Sequence, residues 1–378
     1  MSSEKHLGRF VLMLSAILLT VSCAKKQSNS SESNDSNLIV YELIQRTGGD
    51  GLSGSFLIPE NGISFLLSIY LDNNNSVAFK SLTDPDGTDI LSASSTTNLY
   101  LDASGSSGSN VIKNGYSNVL VPQSPNFFAK AGKWTFRAYN NNRVRLALRT
   151  GTVSSGATIP VQPFITGETW SAENISEALS VMSGIYLKNG VTLDMKSIIT
   201  ITEAEYSSVS PTFSNITTSS LVKQGSSDAV NIFFIEDYSG SVSSILGIAA
   251  GMPGSMGDVN SWNGVLVSLS AHATGTTLDA QLLGETAAHE IGHQLGLFHT
   301  TEYGGNLFDI LSDTEECPSS TQDNDSNGIV TAEECDGFGG DNLMFWTSWS
   351  STSRSAGKKQ ETLSSHQQHV LIFSPMAK

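Results

Sequence analysis

The stretch His289-Glu290-Ile291-Gly292-His293-Gln294-Leu295-Gly296-Leu297-Phe298-His299 holds three of the chain's seven histidines. On a helix, residues four apart share a face, so His289 and His293 can present two imidazoles to one ion. Glu290 follows the first histidine and reaches the same space, close enough to act on water beside the ion without ligating it. Gly296 lets the chain leave the helix sharply, because glycine takes positive φ without penalty, and that turn can bring His299 round as a third ligand. Three neutral imidazoles leave one position of a tetrahedral zinc open, which a catalytic site requires and a structural site does not. The other histidines read more blandly: His272 as a core or solvated residue, His366 and His369 as surface positions on a C-terminal helix.

A second cation pattern follows. Asp323-Asn324-Asp325-Ser326-Asn327-Gly328-Ile329-Val330-Thr331-Ala332-Glu333-Glu334 fits the calcium-loop spacing D-x-[DN]-x-[DN]-G-x5-E. Asp323, Asp325 and Asn327 offer side-chain oxygens, Ile329 a carbonyl and Glu334 two oxygens, with Gly328 making the bend. Cys317-Pro318-Ser319-Ser320 reads as no entering helix, and Cys335-Asp336-Gly337 breaks any exiting one, so a full EF-hand is not expected. The alternative is a hydrophilic surface loop. Only three cysteines are present, and in an exported chain Cys317 and Cys335 are expected to pair, with two free thiols as the other reading.

These residues need elements to hold them. From Leu38 to Thr150 the pattern is strand and turn, which predicts an all-β N-terminal sandwich over 38–150. Trp134, Phe136 and Ala138 alternate with polar residues, the turn Asn140-Asn141-Asn142 follows, and Val144, Leu146 and Leu148 alternate again, which predicts a hairpin with one buried face. Asp84-Pro85-Asp86-Gly87 is a turn. Residues 151–159 read as a linker, and 160–378 as an α/β domain. There Ser171 is expected to cap a helix bearing Ile175, Leu179, Met182 and Tyr186, stopped by Asn189-Gly190. Strands are expected near Ser197–Thr202, Val230–Tyr238 and Val265–Ser270, the last as an edge that pairs with substrate. Gly247–Gly264 reads as a glycine-rich loop.

The net charge is -16, and no Lys or Arg occurs between Lys223 and Arg354. Phosphate binding needs clustered cations, so nucleic acid is not an expected partner. Lys5, Arg9 and the apolar run Phe10–Val21 form an export signal over 1–23, too short to span a membrane comfortably. It resembles a bacterial lipoprotein signal, which implies lipidation of Cys23 and a membrane anchor through a flexible tether over 24–37. Thr20-Val21-Ser22 departs from the usual Leu-Ala-Gly, and an ordinary secretory signal is the alternative. The expected location is the outer membrane or cell surface as a lipoprotein, otherwise secreted.

The segment His289–His299 resembles the zinc signature of the metzincin metallopeptidases, and Met344 in Asn342-Leu343-Met344-Phe345 looks like their Met-turn. The resemblance covers about Pro160 to Lys378. It implies a zinc endopeptidase acting on proteins or peptides, with Glu290 as general base and Met344 as an apolar floor beneath the histidines. By the same resemblance Phe345 and Trp346 wall the pocket beyond the cleaved bond. No tyrosine ligand is expected, since Phe345 and Trp346 follow the methionine. Asp309-Ile310-Leu311-Ser312-Asp313-Thr314, followed by Cys317, looks like the pappalysin-type group. The competing class is a non-catalytic surface lipoprotein, an adhesin or binding protein on the same scaffold; an intact Glu290 argues against it.

Overall fold

A strand buried on both sides has no polar face to alternate with, whereas a strand under one layer alternates. Both patterns occur in this chain. The computed structural model describes residues 25–27, 36–48, 51–70, 78–91, 115–139, 143–153, 155–240 and 245–378. The export segment with Cys23, the middle of the expected tether and the Asn140–Asn142 turn lie outside the described residues.

The first part contains β1 (Lys25–Gln27), β2 (Ser36–Glu42), β3 (Arg46–Gly48), β4 (Gly51–Ile58), β5 (Gly62–Tyr70), β6 (Phe79–Thr83), β7 (Tyr116–Val121), β8 (Gly132–Ala138) and β9 (Arg143–Gly151). They form two antiparallel sheets, β1-β2-β9-β5-β7 and β3-β4-β8-β6. Two stretches expected as tether are therefore strand, since β1 pairs with β2. The expected hairpin of β8 and β9 does not form. The two strands lie in different sheets, and Trp134, Phe136, Ala138, Val144, Leu146 and Leu148 all enter one core. Alternation shows which face is apolar; it does not show which strand lies alongside.

β9 also departs from the one-faced expectation. Its second face is buried too, with Ala147 in a core shared with the following part and Arg149 only 1% exposed. Arg149 Nη1 donates to the carbonyls of Ile372 and Ser374, at 2.5 and 3.3 Å.

The second part runs β10 (Ala157–Thr166), α1 (Ser176–Lys188), β11 (Val191–Met195), β12 (Ile199–Ile201), β13 (Ser208–Val209), α2 (Ile216–Val222), β14 (Val230–Ile235), β15 (Asp237–Tyr238), β16 (Gly247–Ala249) and β17 (Val265–Ser268). After a short hairpin come α3 (Ala280–Leu295), α4 (Ser319–Gln322), α5 (Ser351–Ser355) and α6 (Ser365–Ile372). β9 runs to Gly151 and β10 begins at Ala157, so residues 152–156 connect the two parts rather than the wider span expected.

The main sheet has the order β11-β10-β14-β17-β16, with β12 also beside β10; all its pairs are parallel except β16–β17. Its interior strands are apolar throughout because both faces are covered. Ile232, Phe234, Val265 and Val267 face the core shared with α1 and α3, while Phe233, Ile235 and Leu266 face a second core with Leu221 and Val222 of α2.

Val265–Ser268 is thus an interior strand, not the expected edge. The edge is β16, inside the segment expected to be a loop. Ser171 does not cap α1: Ile175 occupies that position, and the Ser171 amide and hydroxyl instead donate to Asn174 Oδ1. Asn189 and Gly190, with φ +78°, end the helix as expected. One helical turn, α4, does precede the acidic loop, whereas none was expected.

Candidate metal centre

α3 begins on Asp279, whose carboxylate accepts from the Leu282 amide at 3.0 Å, and ends on Gly296 at φ +108°. That left-handed residue closes the helix with Gly296 N–H to His293 O and Leu297 N–H to Gly292 O. The chain then reverses, and His299 Nε2 lies 3.2 Å from His289 Nε2 and 3.0 Å from His293 Nε2.

The opposite ring nitrogens fix what those atoms are. His289 Nδ1 donates to Leu343 O at 2.7 Å, and His293 Nδ1 to Leu297 O at 2.8 Å. A carbonyl can only accept, so each Nδ1 carries the proton and each Nε2 keeps a lone pair. His299 Nδ1 lies 3.0 Å from Glu302 Oε2, without hydrogen-bond alignment. Burial, and then the neighbouring His299, push the His289 imidazole down to about 3, so it is neutral at physiological pH. Lone pairs aimed at one another across 3 Å repel unless a cation or proton lies between them. Zinc–nitrogen bonds of about 2.0–2.1 Å in a tetrahedron put ligand nitrogens roughly 3.3 Å apart, so the donor set fits zinc.

Around this cluster the segment after residue 341 makes three contacts. Leu343 supplies the carbonyl to His289, Met344 O accepts from the Thr300 amide, and the fully buried Met344 side chain lies against Gly292. A Cβ at 292 would stand 2.5 Å from Met344 Sδ, so glycine in mid-helix here admits the methionine. Glu290 is 7% exposed and lines the same cleft of about 380 Å³ as the three histidines. The edge strand crosses directly over it: a Cβ at Gly247 would meet Glu290 Cγ at 2.6 Å. Tyr238, whose hydroxyl donates to Leu266 O at 2.9 Å, has its phenol pushed well up, first by burial and then by the Glu290 charge.

His289, Glu290, His293, Gly296, His299 and Met344 therefore converge. His272 does not join them. It is buried between Ser268 O and Thr286 Oγ1, and burial pushes its imidazole down to about 4. Sequence reading missed the two carbonyls, Glu302, Gly247 and the role of Gly292. Only the last left a signal, a glycine inside a helix where it costs about 1 kcal/mol relative to alanine.

Asp323, Asp325 and Glu334 form a separate cluster, with one carboxylate oxygen of each within 4.8 Å of the others. These oxygens accept loop amides: Asn327 and Gly328 on Asp323, Asn324 and Thr331 on Glu334. Asn327 Oδ1 takes the Ile329 amide. Cys317 and Cys335 are bonded, with Cα atoms 5.7 Å apart, and share a small core with Val330, Phe345 and Trp349. Trp346 Nε1 donates to Val330 O at 2.7 Å, so this loop leans on the segment carrying Met344. Asp309 accepts from the Leu311 amide and Thr314 Oγ1, and burial pushes its carboxyl up to about 7.

With that geometry in view, similarity to known proteins falls on the same region. Residues 172–300 match the Metallo-peptidase family M12B, Reprolysin-like. The match takes in α1 through the third histidine and implies zinc as cofactor. Extracellular metalloprotease 1 of Coccidioides posadasii (strain C735) is 29% identical over 153 residues, 40% of this chain and 53% of that protein. The chain thus spans about half the length of this relative. Among solved structures, metalloproteinase-II from Bacteroides fragilis aligns at 12% identity over 43% of this chain and 54% of its own, with a TM-score of 0.27. The catalytic unit of a GH87 alpha-1,3-glucanase from Streptomyces thermodiastaticus strain HF3-3 aligns at 13% identity over 37% and 27%, with a TM-score of 0.17. At these TM-scores neither carries an argument about fold.

Proposed function

We propose that the chain is a zinc endopeptidase of the metzincin type, close to the pappalysin group, acting on extracellular proteins or peptides. The observation that carries this reading is the convergence of three imidazole Nε2 atoms beside the Glu290 carboxylate, under an edge strand. His289, His293 and His299 would hold the ion, with the carbonyls of Leu343 and Leu297 keeping the first two rings in the donating tautomer. When bound, zinc would acidify water and polarise a peptide carbonyl. Glu290 takes the water's proton and returns it to the leaving amine. Among the described residues β16 pairs only with β17, and its other side would take an extended substrate across Gly247 and next to Glu290. Glu290→Gln should bind stoichiometric zinc by elemental analysis and lose peptide hydrolysis by about 10²-fold or more. Hydrolysis near the wild-type rate in that variant would remove Glu290 from the role.

The finer organisation belongs to the same reading. Residues 38–150 act as an accessory β-sandwich and 160–378 as the catalytic domain. Calcium held by Asp323, Asp325, Asn327, Ile329 and Glu334 would order the segment leading to Met344. Lipidation at Cys23 would tether the protein to the outer membrane or cell surface; among the described residues no helix is long and apolar enough to cross a membrane.

A further inference from the structure

Among the described residues β7 is the last strand of its sheet, yet every residue from Tyr116 to Val121 is buried. Packing inside the sandwich can cover only one of its faces, so the other must meet a second body. Val119 and Val121 enter the sandwich core. The alternate residues Tyr116, Asn118 and Leu120 point the other way, onto the second part of the chain.

What they meet is the end of α3 and the loop beside it. A Cβ added at Gly296 would stand 2.6 Å from Leu120 Cδ2, so the close approach calls for glycine there as much as its positive φ does. Asn118 Nδ2 donates to Pro253 O at 2.6 Å, and the next residue, Gly254, donates its amide to Gln294 O at 3.0 Å in the last turn of α3. Gln294 Nε2 returns to Ser255 O at 3.0 Å. Tyr116 stacks on Trp262, with ring centroids 5.1 Å apart.

The Gly296 turn has two duties in the histidine cluster. It sets Leu297 O against His293 Nδ1, and it sends the chain back to His299. Two helix-closing bonds hold the turn from within, and β7 holds it from outside. The sheet is docked elsewhere too: Leu66 and Ala147 enter the core shared with α1 and α3, and Arg145 forms an ion pair with Asp258. A segment shed to switch on a peptidase has to part from it cheaply. Parting here would expose that shared apolar core and leave the Pro253 carbonyl without its donor.

We propose that the β-sandwich is a permanent wall of the metal centre, in which Leu120 and Asn118 are positioning residues. They hold the Gly296 turn, and through it His293 and His299, where the three rings converge. The proposal rests on the metallopeptidase reading for what the histidines hold, but the part played by β7 does not depend on turnover.

Zinc competition against a chromophoric chelator tests this in the full chain. Leu120→Ala should weaken zinc binding by about 10–100-fold, the range typical of groups that support a metal ligand, and Asn118→Ala should weaken it in the same direction. Leu120→Met, which keeps the volume, should restore most of the affinity. Val119→Ala, on the same strand but facing the sandwich core, should lower the urea midpoint as Leu120→Ala does and leave zinc affinity unchanged. Should Leu120→Ala fail to fold, Leu120→Val reads the same comparison. Equal losses of zinc affinity at positions 119 and 120, or none at 120, would overturn the proposal while leaving the peptidase reading intact. A second measurement inserts a site for a sequence-specific protease after the exposed Val153, between the two parts. After cutting, the pieces should co-elute on size exclusion and keep the zinc affinity of the uncut chain. Release of the second piece with zinc affinity or hydrolysis undiminished would overturn the proposal. Zinc binding that depends on Leu120, without peptide cleavage by the wild type, would uphold it and sink the peptidase reading instead.

Discussion

Replacing Gly292 with alanine is expected to weaken both the fold and the metal site, against the helix-forming preference of the new residue. On an exposed helix the exchange would stabilise by about 1 kcal/mol. Here the added Cβ would stand 2.5 Å from Met344 Sδ, 3.3 Å from Met344 Cε and 3.5 Å from Leu297 Cδ1. Met344 is fully buried, so it cannot retreat into solvent. Overpacking of this kind costs about 1–3 kcal/mol, so the net loss is on the order of 1 kcal/mol. Any retreat of Met344 also moves Leu343, whose carbonyl orients His289, and disturbing such a support typically costs about 10–100-fold in metal affinity. Met344→Ala alone should cost about 2–5 kcal/mol by opening a cavity. In the double variant the new Cβ meets no sulfur, so the overpacking cost disappears and the two losses should fall short of additive by about 2 kcal/mol. Urea midpoints of the zinc-free proteins and zinc competition against a chromophoric chelator read both quantities. If Gly292→Ala is more stable than wild type, with unchanged zinc affinity, the account of the methionine floor is refuted.

Four further outcomes follow from the same structure. Replacing Cys317 and Cys335 together by serine should lower stability by about 3 kcal/mol, from the 18-residue separation the bond closes, as read by calorimetry with and without reductant. Glu285 and Asp309 both have folded carboxyls raised to about 7, above their ordinary values, so each binds its proton more tightly when folded. Their stabilising contribution is complete below the ordinary carboxyl range and lost as pH rises through about 7. Urea midpoints of zinc-free protein should therefore fall between pH 5 and pH 8 less steeply in Glu285→Gln and Asp309→Asn, by on the order of 2 kcal/mol each. Arg149→Met should cost about 1–3 kcal/mol by leaving the Ile372 and Ser374 carbonyls without their donor, visible as a lower melting temperature of the full chain. Chelator-stripped protein should take up one calcium ion by calorimetry and Asp323→Asn should not; absence of uptake by the wild type ends the calcium reading.

The convergence of the three histidines was legible because its geometry is local. His289 and His293 share a face by helical periodicity alone, and Gly296 announces the turn that brings in His299. The burial of β8 was legible in the same way, from a period of two. What failed was everything depending on the neighbour across a gap. β8 and β9 looked like a hairpin, yet each carries its apolar face into the same core from an opposite sheet. Val265–Val267 looked like an edge, yet an unbroken apolar run is what a strand covered on both faces must have, and the actual edge, Gly247–Ala249, is too short and too rich in glycine to read as a strand.

From the residues alone came the donor types, their spacing and the pairing of the two cysteines. Tertiary structure alone decided that Leu343, fifty-four residues from His289, orients its ring, that Gly247 lies over Glu290, and that Glu285 is buried. The physical reason is the same in all three. A backbone carbonyl, a missing Cβ or a buried charge leaves no trace in local periodicity, and acquires meaning only when packing brings a distant segment within a few ångströms.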